Sequence, residues 1–303
     1  MTDIVVSNGG FTPELFSEKV NINLDNYGAY NDIVNRKYEG EIKRKGDKVY
    51  FYTYGSLTVK DYNPNATAFS GLNYEDPQGV KQALEVDQQK YIGFLVDDIQ
   101  EVQANIELVN GFTNRMAVAF SNTKDSYIHG LAVAGAGTKM NSASPAEITK
   151  SNVWKTICDM AAVLGRKNAI TKQGLDYAGK RPALVITPEF QSLLCQADQY
   201  FANAFGNEVL RKGQIGHIGM FDVFLDTNIG TDKTGTGSGA TYSQTIVALT
   251  SDAITYAEQI TKTENLRDKE QFGDYVRQLM VYGGTVANAD CIVTNKVTFA
   301  GLS

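Results

Sequence analysis

Between Asp97 and Leu131 apolar side chains recur at helical spacing: Ile99, Val102, Ile106, Val109, Phe112, Met116, Phe120, Tyr127 and Leu131. The steps average close to the helical repeat, so one stripe of a single long helix is apolar. Lys124 is the one break in the stripe. Asp97 with Gln100 three positions on reads as a cap, and Gly130, Gly135 and Gly137 read as the stop. Gly111 inside the run marks a bend. A helix of this extent is roughly 50 Å long. That exceeds the width of a small domain, so the helix is expected to be a spine on which other elements are hung.

The N-terminal segment, 1–24, is polar and Asn-rich and reads as an extended arm. Asn26 to Lys37 is expected to form a short helix with Tyr27, Tyr30 and Val34 on one face. Val49, Phe51 and Thr53 then alternate with Tyr50, Tyr52 and Tyr54, a strand pattern. After a loop rich in Asn, Pro and Gly the chain returns with Leu84, Val86, Ile92, Phe94 and Val96 on one face. A two-stranded ribbon is marginal in water on its own, so it is expected to pack on another surface, most economically a neighbouring subunit.

Beyond the spine, a linker of small residues from Gly135 to Pro145 leads into a compact α/β region. Val153, Trp154, Ile157, Cys158, Ala161 and Leu164 form a helical stripe, and Ala183–Ile186 reads as a short buried strand. Thr187-Pro188-Glu189 is a helix start with Thr capping and Pro first in the helix. Ile215 to Leu225 suggests a glycine-broken strand pair, Gly230 to Ala240 a flexible loop, and Ser243 to Leu249 a strand. From Ala253 to Phe299 the pattern is mostly strand, with Tyr282-Gly283-Gly284 read as a turn.

The 303 residues suffice for one large or two medium domains, and the composition is that of a soluble globular protein, with no run long enough to span a bilayer and no secretory leader. A net charge of −6 disfavours sequence-specific reading of duplex DNA. Cys158, Cys195 and Cys291 have neither metal nor disulfide spacing and are expected to be small buried hydrophobes. His129 and His217 are read as structural. The glycines at 213, 216 and 219 precede no helix, so they are not a dinucleotide fingerprint. The pair Asp97-Asp98 is explained by helix capping. No catalytic, cofactor or metal site is expected.

Several strings then add up in order: Asn35-Arg36-Lys37-Tyr38-Glu39-Gly40-Glu41-Ile42 followed by Gly46-Asp47-Lys48-Val49, Leu57 to Tyr62, Val86 to Tyr91 running into Val96 to Ile99, Gly213 to Phe224, and Phe272 to Arg277 leading into Tyr282-Gly283. Over roughly Asn26 to Phe299 the chain resembles the major capsid proteins of tailed double-stranded DNA bacteriophages, with the Hong Kong 97 type of fold. The resemblance implies an α+β fold with residues 1–37 as an N-terminal arm and 38–96 as an extended β-ribbon loop. Residues 97–141 and 254–303 would form a peripheral domain holding the spine helix, and 142–253 an α/β axial domain. It implies a non-enzymatic subunit, made in the host cytoplasm, that self-assembles into hexamers and pentamers of an icosahedral phage head. It needs no cofactor, has packaged DNA beside it without sequence-specific contact, and has no membrane role. A separate scaffolding protein, a portal and decoration proteins are its implied partners. The other readings are an encapsulin-like cellular nanocompartment shell enclosing cargo enzymes, and an enzyme on an α/β fold.

One contact between subunits is suggested by charge. Lys43, Arg44, Lys45 and Lys48 form a basic cluster at the root of the ribbon, and Asp97, Asp98 and Glu101 make the start of the spine acidic. Either the two clusters face each other across neighbouring subunits, or they are separate solvated surfaces. Tyr50, Tyr52 and Tyr54 offer the ribbon a second way to bind.

Overall fold

The computed structural model describes residues 28–38, 46–54, 59–60, 79–97, 106–171, 173–197, 214–234, 241–267 and 273–299. In chain order the elements are β1 (Lys48–Tyr54), β2 (Gly79–Glu85), β3 (Gln88–Asp97), α1 (Ile106–Gly135), β4 (Thr138–Met140), β5 (Ala146–Ile148), α2 (Val153–Arg166), β6 (Ala183–Ile186), α3 (Pro188–Gln196), β7 (Gln214–Ile218), β8 (Phe221–Leu225), β9 (Asp232–Thr234), β10 (Thr241–Leu249), β11 (Ile254–Arg267), β12 (Gly273–Val286) and β13 (Ile292–Phe299). The architecture is α+β.

The spine is real: α1 has 30 residues, about 45 Å of helix. Met116 and Phe120 of the stripe are buried and Tyr127 and Leu131 partly so, while Ile128, next to Tyr127 and outside the stripe, is fully buried. The start differs from expectation. Asp97 is the last residue of β3, paired with Gly273 of β12, while Asp98, Ile99, Gln100 and Val102 lie outside the described residues. The ladder with β12 runs unbroken through 97, so extended pairing takes the residue that a local capping motif would have claimed. Gly130 lies inside the helix, and the helix stops at Gly135. A side chain at Gly135 would meet Cγ2 of Val286 at 2.5 Å, so the helix end docks closely on the end of β12.

Among the described residues the strands form three sheets, and the spine packs on β10, β12 and β13. A sheet of eight strands runs β4-β13-β10-β6-β8-β7 along its main path, with β5 beside β13 and β9 beside β10. β6 is buried throughout and lies between β10 and β8, the second pairing parallel. Covered on both faces, it reads as a continuous apolar run rather than an alternating one. Thr187 caps α3 as expected, its hydroxyl accepting from the amide of Phe190. Gly219 turns β7 into β8 with a positive φ of 61°. β9 falls within the expected flexible loop and pairs with β10. Against expectation, Cys158 is exposed on the outer face of α2 and Cys195 is half-buried; only Cys291 is buried.

The second sheet is antiparallel, in order β11-β12-β3. The third is the ribbon, β1 with β2, with Lys48 opposite Glu85 and Tyr54 opposite Gly79. The returning half of the expected ribbon is thus divided: 79–85 pairs with β1, and 88–97 leaves to pair with β12. Tyr282-Gly283-Gly284 is not a turn but the interior of β12. Gly283 is required there by packing: a Cβ would lie 2.1 Å from the carbonyl oxygen of Glu85 and 2.8 Å from Cα of Val86. The junction of β2 and β3 crosses β12 at that point.

The two faces of the β11-β12-β3 sheet differ. Tyr256, Met280 and Tyr282 join the main core beneath the spine, with Tyr127 of α1 edge-on to Tyr282 at 5.1 Å. Ala257 and Val281 on the other face support Val49, Phe51, Leu84 and Val86, a small second core at the ribbon root.

Residues 28–38 form turns rather than the expected helix, and Asn35 bridges to Thr255. Their anchors are polar as well as apolar. The ammonium of Lys124, the residue that broke the apolar stripe, is fully buried, with Glu258 Oε1 at 3.2 Å. Arg36 Nη2 donates to the same oxygen at 3.2 Å, and the Tyr256 hydroxyl donates to Oε2 at 2.9 Å. One carboxylate thereby ties the segment 28–38, the spine and β11.

Three substitutions test this packing. Glu258→Gln leaves the Lys124 ammonium buried without its partner charge and should lower stability in denaturant unfolding by about 3 kcal/mol. Asp159→Asn, which removes the exposed pair with Lys155, should change it by less than about 0.5 kcal/mol. Gly283→Ala should displace the ribbon root, because the obstructing atoms are backbone; loss of near-ultraviolet aromatic circular dichroism and of soluble yield would report it, and a native-like spectrum would refute the close crossing.

Candidate inter-subunit surface

The ribbon has an inner and an outer face because side chains alternate along a strand. Val49 and Phe51 point inward, and Tyr38 stacks on Phe51 with ring centroids 5.9 Å apart. Tyr50 and Tyr52 point outward and are 53% and 58% exposed. Lys81 of β2 sets its ammonium 3.8 Å from the centre of the Tyr50 ring, a cation–π contact that fixes the aromatic face. Tyr54 ends β1, opposite Gly79.

Lys48 is occupied within its own chain. It forms an ion pair with Glu85, its partner in the ribbon register, and that hydrogen bond raises its pKa. Both side chains are about half exposed, so the pair contributes little to stability. Lys43, Arg44, Lys45, Asp98 and Glu101 lie outside the described residues, and Asp97 sits at the far end of β3. The structure therefore brings Tyr50 and Tyr52 onto one face and assigns Lys48 a local partner.

Sequence reasoning missed a second surface. On the β11-β12-β3 sheet, Tyr275, Arg277, Leu279 and Val281 point the same way along β12, and register adds Leu266 and Glu264 of β11 and Tyr91 and Gly93 of β3. Val281 lies under the chain's own ribbon root. Past Leu279 the same face is open, with a groove of about 740 Å³ lined by Tyr91, Gly93, Leu266, Tyr275 and Leu279. Tyr91 is 78% exposed, and Leu266 and Tyr275 are also exposed. An ion pair between Arg277 and Glu264 crosses it. The signal was present in the alternation of β11 and β12, but it could be read only once the register was known. Among the described residues, one part of this sheet face is thus covered by the ribbon root, and the rest carries exposed side chains at Tyr91, Leu266 and Tyr275.

Both histidines have partners within the chain. His129 Nδ1 meets the Tyr30 hydroxyl at 2.8 Å, and burial lowers its pKa to about 4. His217 pairs with Asp222 at 2.5 Å between β7 and β8.

No protein-family model and no curated protein matches the sequence. Solved structures do match over nearly the whole chain. The chain is similar to that of Mycobacterium phage Che8 at 23% identity and a TM-score of 0.64, over 99% of this chain and 95% of the other. It is similar to the mature capsid of bacteriophage PhiM1 at 12% identity and a TM-score of 0.60, covering 100% and 92%. A virus-like particle from Pyrococcus furiosus is similar at 11% identity and a TM-score of 0.54, covering 93% and 98%. The spine, the projecting ribbon and the two larger sheets together are the fold of phage capsid proteins.

Proposed function

We propose that this chain is the major capsid protein of a tailed double-stranded DNA phage, of the Hong Kong 97 type, and that it builds an icosahedral head from hexamers and pentamers. The observation that carries the reading is the match to phage capsid chains over essentially the full length of both partners. In this reading the protein is structural rather than catalytic and resides in the virion after synthesis in the host cytoplasm. The division into arm (1–37), ribbon (38–96), peripheral domain (97–141 and 254–303) and axial domain (142–253) belongs to the same proposal. So do a separate scaffolding protein, a portal and decoration proteins as partners. DNA packed inside lies beside the shell without sequence-specific contact, in keeping with the −6 charge.

The surfaces support repeated contact between copies. The outer face of one ribbon, with Tyr50 and Tyr52, is proposed to lie over the exposed part of a neighbour's β11-β12-β3 sheet face. That part continues a surface on which this chain already packs its own ribbon root. The contact is head-to-tail, so it propagates around a ring instead of closing a dimer. The similarity to a Pyrococcus virus-like particle favours a second reading, a nanocompartment shell around cargo enzymes. Particle contents separate the two: packaged DNA for the phage head, protein cargo for the compartment.

Electron microscopy and sedimentation of the purified protein should show capsomer rings or closed shells. A compact monomer at high concentration, even with its cognate scaffold, would contradict the proposal. Replacing Tyr50 and Tyr52 together with Ser should leave the far-ultraviolet circular dichroism unchanged and slow assembly, followed by light scattering, by about tenfold or more. Reversing Lys43, Arg44 and Lys45 to Glu tests the charge pairing. Assembly should slow at low salt and recover in part when Asp98 and Glu101 become Lys; normal assembly of the triple variant would leave the tyrosine face as the sole contact.

A further inference from the structure

On its returning side the ribbon joins the body through two residues, Val86 and Asp87, which lie between the end of β2 and the start of β3. Val86 is buried and bound through its backbone: the Gly46 amide donates to its carbonyl at 2.9 Å, and its own amide donates to the carbonyl of Asp47 at 3.2 Å. Asp87 is exposed and belongs to neither ladder. Both of its carboxylate oxygens nevertheless have donors. Oδ1 accepts from the Tyr127 hydroxyl of α1 at 3.2 Å, and Oδ2 accepts from Nε2 of Gln88, the first residue of β3, at 2.9 Å.

The Tyr127 ring is itself held in place. It stands edge-on to Tyr282 at 5.1 Å, and Tyr282 is the register partner of Gln88. A Cβ at Gly284 would lie 2.9 Å from Cδ1 of Leu131 and 3.5 Å from Cε1 of Tyr127, so the bare backbone of β12 lets this turn of the spine sit on the strand. The amide of Gly284 is a second contact of the hydroxyl. Burial, and then the charge of Asp87, raise the tyrosine to about 12, so the hydroxyl keeps its proton and donates throughout the neutral range. The hydrogen bond therefore runs from a ring fixed between spine and sheet to the residue at which the ribbon departs.

The rest of the ribbon's attachment is largely apolar. Val49, Phe51, Leu84 and Val86 rest on Ala257 and Val281, and Gln82 Nε2 donates to the carbonyl of Ala287 at 3.2 Å. Apolar burial opposes separation but has no preferred direction, whereas a hydrogen bond weakens steeply away from its geometry. We propose that Asp87 is the positioning residue of the ribbon. Its hydrogen bond from Tyr127 fixes the direction in which β1 and β2 leave the body, and thereby where Tyr50 and Tyr52 are presented. Because Asp87 is exposed, the bond adds little to global stability and acts on local orientation. The hold depends only on contacts within one chain; its consequence for assembly rests on the shell reading above.

Amide hydrogen exchange of the unassembled full-length protein tests this with Tyr127→Phe, Asp87→Ala and Asp87→Asn. The phenylalanine keeps the ring against Tyr282, and the asparagine keeps an oxygen that can accept from Tyr127. Melting temperatures should stay within about 2 °C of the wild type. Exchange over 48–54 and 79–85 should quicken about threefold to tenfold in Tyr127→Phe and Asp87→Ala, while 183–186 and 292–299 keep their protection. Asp87→Asn should remain within about twofold of the wild type. Unchanged ribbon exchange in Tyr127→Phe and Asp87→Ala, or an equal loss of protection in ribbon and body, would overturn the proposal. So would a ribbon as loose in Asp87→Asn as in Asp87→Ala. The two loosened variants should also assemble more slowly by light scattering. Failure of the wild type itself to assemble would count against the shell reading, whereas the exchange result decides the role of Asp87 by itself.

Discussion

The crossing of the β2–β3 junction over Gly283 is the contact on which the projecting part of this fold depends. With the carbonyl of Glu85 only 2.1 Å from where a Cβ would be, the backbone of one strand pair lies directly on another strand. That proximity seats Val86, Leu84 and Phe51 on Ala257 and Val281, and it sets where β1 and β2 leave the body. Two facts follow. Among the described residues, Tyr50 and Tyr52 stay more than half exposed on the ribbon's outer face, and Tyr91, Leu266 and Tyr275 stay exposed on the rest of the supporting sheet face. A chain that only needed to fold would gain by covering that face itself.

A different kind of contact holds the other face. Beneath the sheet, α1 is bound by aromatic packing through Tyr127, Tyr256 and Tyr282 and by the Lys124–Glu258 pair. Buried charges of this kind add little net stability over apolar packing, but they admit only one arrangement of their partners. Arg36 draws the segment 28–38 to the same carboxylate. Register between arm, spine and sheet is thus fixed by polar groups, while bulk stability comes from the apolar core around β6, β10 and β13.

The spine was legible because its stripe is long and periodic, and β6, α2, α3, β10 and β13 were legible for the same reason or from a cap. What failed was local signal against distant pairing. Asp97 resembles a cap but continues a ladder with β12. Gly283 and Gly284 resemble a turn, yet their small size answers to neighbours 85, 86 and 131, remote in sequence. Lys124 looked like a flaw in the stripe, and its explanation, Glu258, lies 134 positions away. Of the candidate site, the outward face of Tyr50 and Tyr52 could be read from alternation alone. The groove could not, because it is assembled from three strands whose register the sequence does not print.

In the proposed shell, another copy's ribbon covers the exposed part of this sheet face. Hydroxyl-radical footprinting before and after assembly tests it most directly, since it reads tyrosine exposure residue by residue. The account predicts that Tyr91 and Tyr275 in the groove and Tyr50 and Tyr52 on the ribbon lose reactivity together as particles form. Particles that form while Tyr91 and Tyr275 stay as reactive as in the unassembled protein would contradict it.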